Sequence, residues 1–389
     1  MKKAKIVDFY GVKNFHEMFD TSFLLMCERI FDQVEYVSSS SSQENINNLL
    51  RTKGINISSK ISFRRLYVSN SYSAIAFLSR MICGFFIVLK EFLCSDKNSS
   101  IFYIYSNPLA FIPLQVLNRY VQKNVYVVSH GELSFFQRND LKKTRPWYWY
   151  AKLWYHGFSR SNTKMHLKYI VLGESIKKNM IHLFPNLKDS LIVINHPYIF
   201  SSFQDKGQFV RKTKIVLGVI GFMTQEKGLY DLLDFAEQLK SKIFNQELEI
   251  KVIGRNPSLI DVKEYPFIGW SGDNVLSRKL FEEEIKKIDY LLYFYNPETY
   301  RLTASGALFD AISFGKPSIY LSNDYFKDAI GESPIGYGCD TVDDMVRKVD
   351  EIIQRGDMQY QSYVHNLDML KDKFSIRYNA ELLKQQIHH

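Results

Sequence analysis

The chain has 389 residues, 46% hydrophobic and 23% charged, so it can bury a sizeable core and is not disordered throughout. Its four cysteines lie far apart with no Cys-x-x-Cys pair, which excludes a zinc ribbon and a small disulfide scaffold. Lys and Arg total 50 and Asp and Glu total 41, and the resulting net charge of +9 favours an anionic partner.

The sequence shows neither a signal peptide nor a membrane span. The N-terminal lysines precede a β-strand pattern rather than a long apolar run, so we expect a cytoplasmic protein. Residues 72–93 form the most apolar stretch, but Arg80 and Lys90 interrupt it. A spanning helix needs roughly 20 apolar residues with few charges, so we expect a buried helix there.

Short apolar runs alternate with helical patterns along the whole chain. In the first half they predict strands at residues 4–10, 34–38, 65–69, 101–106, 125–129, 169–172 and 191–194. In the second half they predict strands at residues 214–220, 248–253, 267–270, 290–294 and 318–321. Continuous apolar strands separated by helices indicate parallel sheets covered on both faces.

This alternation predicts two Rossmann-like, doubly wound α/β domains whose strand ends face a cleft. The N-terminal domain is expected at residues 1–200 and the C-terminal domain at 214–375. The polar residues 201–213 are the expected linker. A last helix at 376–389 is expected to pack back on the N-terminal domain.

Two loops of the predicted second domain carry groups that suit a phosphate. The strand 214–220 leads into Gly221, and Lys227 comes just before the next helix, where its charge can reach a diphosphate. The second loop precedes a helix expected to start near Thr303. Arg301 supplies a cation there, and Gly306 allows a phosphate to come close to the helix start.

Helical spacing also puts Asp310 on the same face as Thr303 and Gly306, where a ribose would lie. Each of these residues can instead have a purely structural role. Lys227 can be a solvent-facing lysine, Thr303 or Ser305 can simply cap the helix, and Asp310 can be solvated. The first loop matches neither the dinucleotide fingerprint nor the Walker A motif.

The predicted first domain offers polar groups at one strand end. The strand 125–129 runs into His130, which can form a hydrogen bond or shuttle a proton, and Glu132, which can accept a proton. The alternative is a histidine already satisfied by neighbouring groups at a strand end.

A basic aromatic stretch extends between Lys142 and Lys168. It has no Asp or Glu and holds three of the chain's 4 tryptophans, Trp147, Trp149 and Trp154. Such composition favours contact with an anionic membrane surface, to which residues 85–93 can add. The alternatives are single-stranded nucleic acid, a sugar platform, or a helix packed on the sheet with its lysines in water.

The second half resembles the nucleotide-binding half of GT-B glycosyltransferases, especially the large retaining family that builds bacterial surface polysaccharides. The matching pieces are residues 221–228, 252–255, 267–270 and 305–317, the last with the family's acidic-Ala-x-x-x-Gly-Lys-Pro ending. The resemblance implies that Asp310 binds the donor ribose and that the segment around Ile268 holds the nucleobase. Leu302 stands where the family often has a glutamate, and Glu298 is a possible substitute.

The resemblance implies transfer of a sugar from a nucleotide-diphosphate donor to a glycan or lipid-linked acceptor, with retention. It assigns the donor to the second domain, through Gly221, Lys227, Arg255, Ile268, Thr303, Ser305, Gly306 and Asp310. The predicted catalytic residues are His130, Glu132 and Arg301. For His130 the resemblance implies a contact that positions the donor sugar, and it implies that Gly11 and His16 lie on the acceptor side.

No metal or other cofactor is expected, because Lys227, Arg301 and the helix start can stabilise the leaving diphosphate. The expected partners are a nucleotide sugar, the acceptor and the inner face of the cell membrane, and no nucleic acid. Two rival functions remain open. One is a nucleotide-sugar 2-epimerase, which needs several cleft carboxylates where we find only Glu132, and the other is an inactive sugar-binding partner subunit, which Leu302 favours.

Overall fold

The computed structural model describes residues 1–12, 16–71, 73–137, 142–143, 146–200, 213–274, 276–298 and 300–387. The chain divides into two compact units. The first holds Met1–Ile199, Leu302–Ala304 and Lys373–His389, and the second holds Phe200–Arg301 and Ser305–Asp372. Nearly all of the expected linker lies outside the described residues.

The first unit is a parallel sheet with helices between its strands. Its strands are β1 (Lys3–Asp8), β2 (Gln33–Ser39), β3 (Ile61–Leu66), β4 (Ser100–Tyr103), β5 (Asn124–Val128), β6 (Leu167–Val171) and β7 (Leu191–Val193). Its helices are α1 (Glu17–Ile30), α2 (Ser40–Thr52), α3 (Ala74–Cys94), α4 (Phe111–Val121), α5 (Pro146–Arg160), α6 (Glu174–Leu183) and α14 (Ile376–Ile387). Across its described residues the strand order is β3-β2-β1-β4-β5-β6-β7.

The second unit repeats this architecture. Its strands are β8 (Ile215–Ile220), β9 (Leu248–Ile253), β10 (Ile268–Trp270), β11 (Tyr290–Tyr293), β12 (Ser318–Leu321) and β13 (Gly336–Cys339). Its helices are α7 (Leu229–Gln238), α8 (Lys240–Phe244), α9 (Arg278–Lys286), α10 (Gly306–Phe314), α11 (Asp324–Ile330), α12 (Val342–Arg355) and α13 (Tyr360–Lys373). The described strands are parallel in the order β10-β9-β8-β11-β12-β13.

The predicted fold class is confirmed, with two errors in the strands. The strand predicted at residues 65–69 is β3, which lies at Ile61–Leu66. The sequence of β3 does not show the usual alternation of apolar and polar residues, because Arg64, in the middle of the strand, forms ion pairs with Glu35 and Glu91. Strand β13 was missed because its sequence, Gly-Tyr-Gly-Cys, has the glycines of a turn.

Helix α3 departs from the buried helix expected at residues 72–93. One face is buried, but the other presents an apolar row to solvent, with Ile75 83% and Phe86 64% exposed. We call this row the α3 apolar face, and it consists of Ile75, Leu78, Ile82, Phe86 and Leu93. No helix among the described residues is long and apolar enough to cross a bilayer.

The last helix, α14, packs on α1 and on the edge strand β7. The Gln386 side-chain amide donates to the Val193 carbonyl at 2.6 Å, and its Oε1 accepts the Val193 N–H at 3.0 Å. Further along the same edge, the Asn195 N–H donates to Asn379 Oδ1 at 2.7 Å. The side chains of Gln386 and Asn379 therefore form hydrogen bonds with backbone groups along this edge of the sheet, as a neighbouring strand would.

Gly228 joins helix α7 to the sheet of the second unit. It has φ +77°, and a Cβ placed on it would lie 2.1 Å from the Phe294 carbonyl oxygen. Gly228→Ala is therefore expected to lower the free energy of unfolding by about 3 kcal/mol or more, from backbone strain plus overpacking. Chemical denaturation measures the loss. Gly272→Ala is the control, because Gly272 also has positive φ but open space around it. An equal loss in both variants would show that the contact with Phe294 is unimportant.

Candidate functional site

Each sheet has one place where the strand order reverses. In the first unit it lies between β1 and β4, and in the second between β8 and β11. In open α/β sheets, ligands bind beyond the carboxyl ends of the strands at such a reversal. The residues that follow these strands are therefore the candidate site of each unit.

In the second unit, the loop after β8 places a cation at the reversal. Gly221 has φ +90°, and its N–H donates to the Ile253 carbonyl at 2.9 Å, which fixes the start of the loop. Lys227 Nζ lies 3.8 Å from the position a Cβ on Gly221 would take. Burial lowers the pKa of Lys227, and its ammonium has neither a hydrogen bond nor an ion pair with the described residues.

Two other predicted donor residues lie on or next to the neighbouring strands β9 and β10. Arg255 follows β9, is exposed, and has its guanidinium carbon 6.0 Å from the centre of the Phe222 ring. Ile268 begins β10 with a buried side chain, so only its backbone is available to a ligand. Arg255 thus lies beyond the carboxyl end of β9, whereas Ile268 lies at the start of β10, level with Ile250 in β9.

The helix expected to begin near Thr303 in fact begins at Gly306. Ser305 is its N-cap, and its Oγ accepts the Leu308 N–H at 3.3 Å, so the ordinary capping role predicted as an alternative is present. Thr303 lies before the helix and cannot share a helical face with Gly306. The Thr303 Oγ1 is buried and has no hydrogen-bond partner among the described residues.

Gly306 and Asp310 lie one turn apart on α10. A Cβ on Gly306 would meet no atom within 4 Å, so the helix start faces open space. Asp310 is half-buried. Arg301 forms an ion pair with Glu298 at 2.9 Å, while Leu302 is buried and supplies no carboxylate.

Sequence reasoning missed the tyrosines that hold this loop. Tyr295 and Tyr300 stack with ring centres 4.2 Å apart, and Ser305 Oγ donates to the Tyr295 hydroxyl at 3.1 Å. Tyr293 donates to the Ala307 carbonyl at 3.0 Å. These contacts fix the start of α10. The signal in the sequence was the run of aromatic residues around a predicted strand end, which we read only as apolar.

In the first unit, Glu132 and His130 follow β5. Glu132 is 4% exposed, and its two oxygens accept the Ser106 hydroxyl at 3.0 Å and the His130 N–H at 2.9 Å. Burial raises the pKa of Glu132 to about 7. Glu132 can therefore change its charge near neutral pH, which suits a group that binds a substrate hydroxyl.

His130 is buried and lies close to two other histidines, the half-buried His196 and the exposed His16. Its ring centre lies 5.4 Å from that of His16, and Phe19 contacts both His130 and His196. Burial lowers the pKa of His130 well below its usual value, so it is a neutral hydrogen-bonding group rather than an acid. His130 Nε2 is buried and has no hydrogen-bond partner among the described residues.

The acceptor-side candidates lie on the loop after β1 and at the start of α1. The Gly11 N–H donates to Asp8 Oδ1 at 2.6 Å, which closes a tight turn at the strand end. His16 precedes α1 with φ 56°, and burial lowers its pKa to about 4. The structure brings His16 next to His130, which the sequence order alone does not reveal.

Asp20, on α1, is a buried carboxyl whose Oδ1 has no hydrogen-bond partner among the described residues. Burial raises the pKa of Asp20 well above its usual range, and the charges of Asp8 and Glu17 add to this. A pKa raised on folding means that stability is lost as the pH rises above the unfolded value of about 4.

Asp20→Asn removes the loss of stability with rising pH that comes from ionising Asp20. We expect the Tm of the variant to exceed that of the wild type by an amount that grows as the pH rises above about 4. Thermal unfolding at several pH values measures this difference, with the exposed Asp189→Asn as control. A difference that does not change with pH would contradict the raised pKa.

The described residues contain no group of three or more His, Cys, Asp or Glu side chains arranged to hold a metal ion. No protein-family model matches the chain, and no curated protein matches it.

Solved structures resemble the chain over its whole length. Anabaena Alr3699/HepE, in complex with UDP and glucose, is 11% identical with full coverage of both chains and a TM-score of 0.63. A mutant of S. aureus TarM, in complex with Fondaparinux, alpha-GlcNAc-glycerol and UDP, is 12% identical with full coverage of both and a TM-score of 0.68. WaaG, a glycosyltransferase involved in lipopolysaccharide biosynthesis, is 10% identical with 99% of both chains covered and a TM-score of 0.60. The chain has the GT-B fold of these glycosyltransferases.

Proposed function

We propose that the chain is a glycosyltransferase that takes its sugar from a nucleotide-diphosphate donor. The observation that carries this proposal is Lys227, a half-buried lysine with no ion pair among the described residues, beside the strand-order reversal of the second unit. A diphosphate supplies the missing countercharge. The fold supports the proposal, because UDP and UDP-glucose are bound in structures of HepE.

In this proposal the second unit binds the donor. The diphosphate lies against Lys227 and the N-terminus of α10, where backbone N–H groups and the helix dipole favour an anion. Arg301 exchanges its partner Glu298 for the phosphate, and Asp310 binds the ribose. The segment around Ile268 lies on the nucleobase side, as the family resemblance implies, and Arg255 also binds the donor.

The first unit binds the acceptor and orients its hydroxyl on Glu132. The acceptor oxygen bonds to the anomeric carbon while the bond from that carbon to the diphosphate breaks. Under retention, the hydroxyl proton passes to the departing diphosphate, whose charge Lys227 stabilises. His130 Nε2 gains a hydrogen bond from the donor sugar. We propose a glycan or lipid-linked acceptor in bacterial surface polysaccharide synthesis.

Thermal shift with UDP, GDP, ADP, CMP and their sugars, with and without Mg²⁺, tests the donor site. A ligand that binds only the folded protein raises its Tm. We expect one diphosphate to raise the Tm selectively and without Mg²⁺. If no nucleotide shifts the Tm, the proposal fails. The NMR coupling of the anomeric proton in the product then tests retention.

Leu302 supports a second function, that of an inactive sugar-binding partner. It is buried at the position where the family resemblance expects a glutamate, and Glu298, the possible substitute, is paired with Arg301. A nucleotide sugar that binds but is neither transferred nor hydrolysed in the presence of acceptors would favour this function. Turnover of the donor would exclude it.

We also propose that the first unit attaches to an anionic membrane. The α3 apolar face is a larger exposed row than isolated surface residues make, and the exposed Lys90 lies on the same helix. Helix α5 lies beside it, with Phe77 and Trp147 at 4.6 Å. Within the segment from Lys142 to Lys168, α5 buries Trp154 but exposes Trp149 and Lys152 to solvent.

Phe86→Ser tests this attachment. Burying a phenylalanine contributes about 1.5–3 kcal/mol, so we expect the variant to bind vesicles containing phosphatidylglycerol about tenfold more weakly. Phe244→Ser is the matched control, because Phe244 is 66% exposed but lies in the second unit. Co-sedimentation with vesicles measures both. Equal binding by wild type and Phe86→Ser would contradict the proposal.

A further inference from the structure

The first unit contains a cavity of about 200 Å³ next to the residues that follow β1, β4 and β5. Its volume is below the range of about 300–1,000 Å³ for sites of drug-sized ligands, so it has room for one small ring. It shares Glu132 and His16 with the candidate site, but most of the residues that line it play no part in the function proposed so far.

Aromatic rings form the walls of this cavity. Phe77 and Trp147 have ring centres 4.6 Å apart, and Phe135 lies parallel to Trp147 at 5.6 Å with an interplanar angle of 11°. On another side, the ring centres of Tyr10 and Tyr105 are 4.5 Å apart. Because these rings pack on each other, their faces are held in place before any ligand enters.

Glu132 is the single carboxyl among the described residues that line the cavity. A carboxylate can accept about four hydrogen bonds. The Ser106 hydroxyl, the His130 N–H and the backbone N–H of Glu132 itself provide three of them. One acceptor site of Glu132 therefore remains for a hydroxyl group of a ligand.

The aromatic walls and the Glu132 carboxyl together favour one class of small ligand. An acyl chain or a plain aromatic ring would fit the walls but would cover Glu132 without a hydrogen bond, which is costly for a buried polar group. A small polyol or an ion would satisfy Glu132 but gain nothing from the rings. A pyranose has a face of C–H groups and a rim of hydroxyls, so it satisfies both parts of the cavity.

We propose that this cavity binds one pyranose ring of the acceptor, with its C–H face on the aromatic wall around Trp147 and a hydroxyl donating to Glu132. The proposal rests on the proposed glycosyl transfer and adds the part of the acceptor that is recognised. The acceptor is thus a saccharide whose ring enters the cavity, rather than a lipid chain or a protein side chain.

Tryptophan fluorescence tests this directly, because Trp147 lines the cavity. The probes are methyl glycosides of glucose, galactose, mannose, N-acetylglucosamine and rhamnose at millimolar concentrations. Trp154 also lines the cavity. We therefore expect at least one glycoside to change the emission, and Trp147→Phe to reduce that change. Phe77→Ala is expected to weaken binding about three- to tenfold through the lost ring contact.

Glu132→Gln, which keeps the shape of the side chain, is the second variant and guards against misfolding of Phe77→Ala. It is expected to weaken glycoside binding while leaving the Tm shift by the nucleotide unchanged. Tyr67→Ala is the control, because Tyr67 is 84% exposed and does not line the cavity.

The outcomes separate this inference from the proposed function. If a nucleotide raises the Tm but no glycoside changes the emission, the cavity proposal is overturned and the transferase proposal stands. If a glycoside binds equally well to Phe77→Ala and to Glu132→Gln, the sugar lies elsewhere and the cavity proposal is also overturned. If no nucleotide binds, both proposals fail.

Discussion

Glu132→Gln is expected to lower kcat/KM for the acceptor by about 10- to 100-fold, because hydrogen bonds to a charged group contribute about 1.5–3 kcal/mol. Burial raises the pKa of Glu132 to about 7. The ionised form accepts the hydroxyl hydrogen bond, so wild-type kcat/KM should rise with pH up to about 7 and then level off. In the variant, kcat/KM should not show this rise with pH. Initial rates at saturating donor, measured across this pH range, provide the test.

A control is needed because other groups also titrate. Glu174 is exposed in the first turn of α6. Glu174→Gln should keep both the kcat/KM of the wild type and its rise with pH. If kcat/KM of Glu132→Gln still rises with pH up to about 7, another group causes that rise and Glu132 does not bind the hydroxyl as a carboxylate.

Lys227→Met is expected to have opposite effects on the free and the liganded protein. Burial lowers the pKa of Lys227, so its charge is destabilising in the free protein at neutral pH, and its removal should raise the Tm. Donor binding should weaken about 10- to 100-fold, since the charged contact to the diphosphate is lost. Calorimetric titration with the diphosphate that raises the wild-type Tm measures the affinity.

This pair of effects distinguishes a binding lysine from a structural one. Loss of a structural lysine would lower the Tm and weaken binding only through misfolding. Lys371→Met, which removes an exposed ion pair with Asp368 on α13, should change neither quantity appreciably. A Lys227→Met variant with unchanged donor affinity would remove the main support for the donor site.

The sequence was sufficient for the fold because the signals there are local. Strands such as β8, with the sequence Ile-Val-Leu-Gly-Val-Ile, are continuous apolar runs, and the chain order of strands and helices defines a doubly wound sheet. The loops that carry Lys227 and Glu132 could also be located, since they follow predicted strands directly.

The arrangement within the sites could not be predicted, because it depends on contacts between distant segments. Nothing in the spacing shows that His16 lies beside His130, or that Ser106 donates to Glu132. The start of α10 was misplaced by three residues for a similar reason. Tyr295 and Ser305 hold the preceding loop in an irregular conformation that helix propensity does not report.

The hydrogen bonds between Gln386 and Val193 join residues 193 positions apart in the chain. At synthesis rates of about 5–20 residues per second, β7 waits roughly 10–40 s on the ribosome before this partner is made. During that time its outer N–H and C=O groups can pair with another nascent chain. The edge of the first unit at β7 is therefore completed only after the second unit has been synthesised.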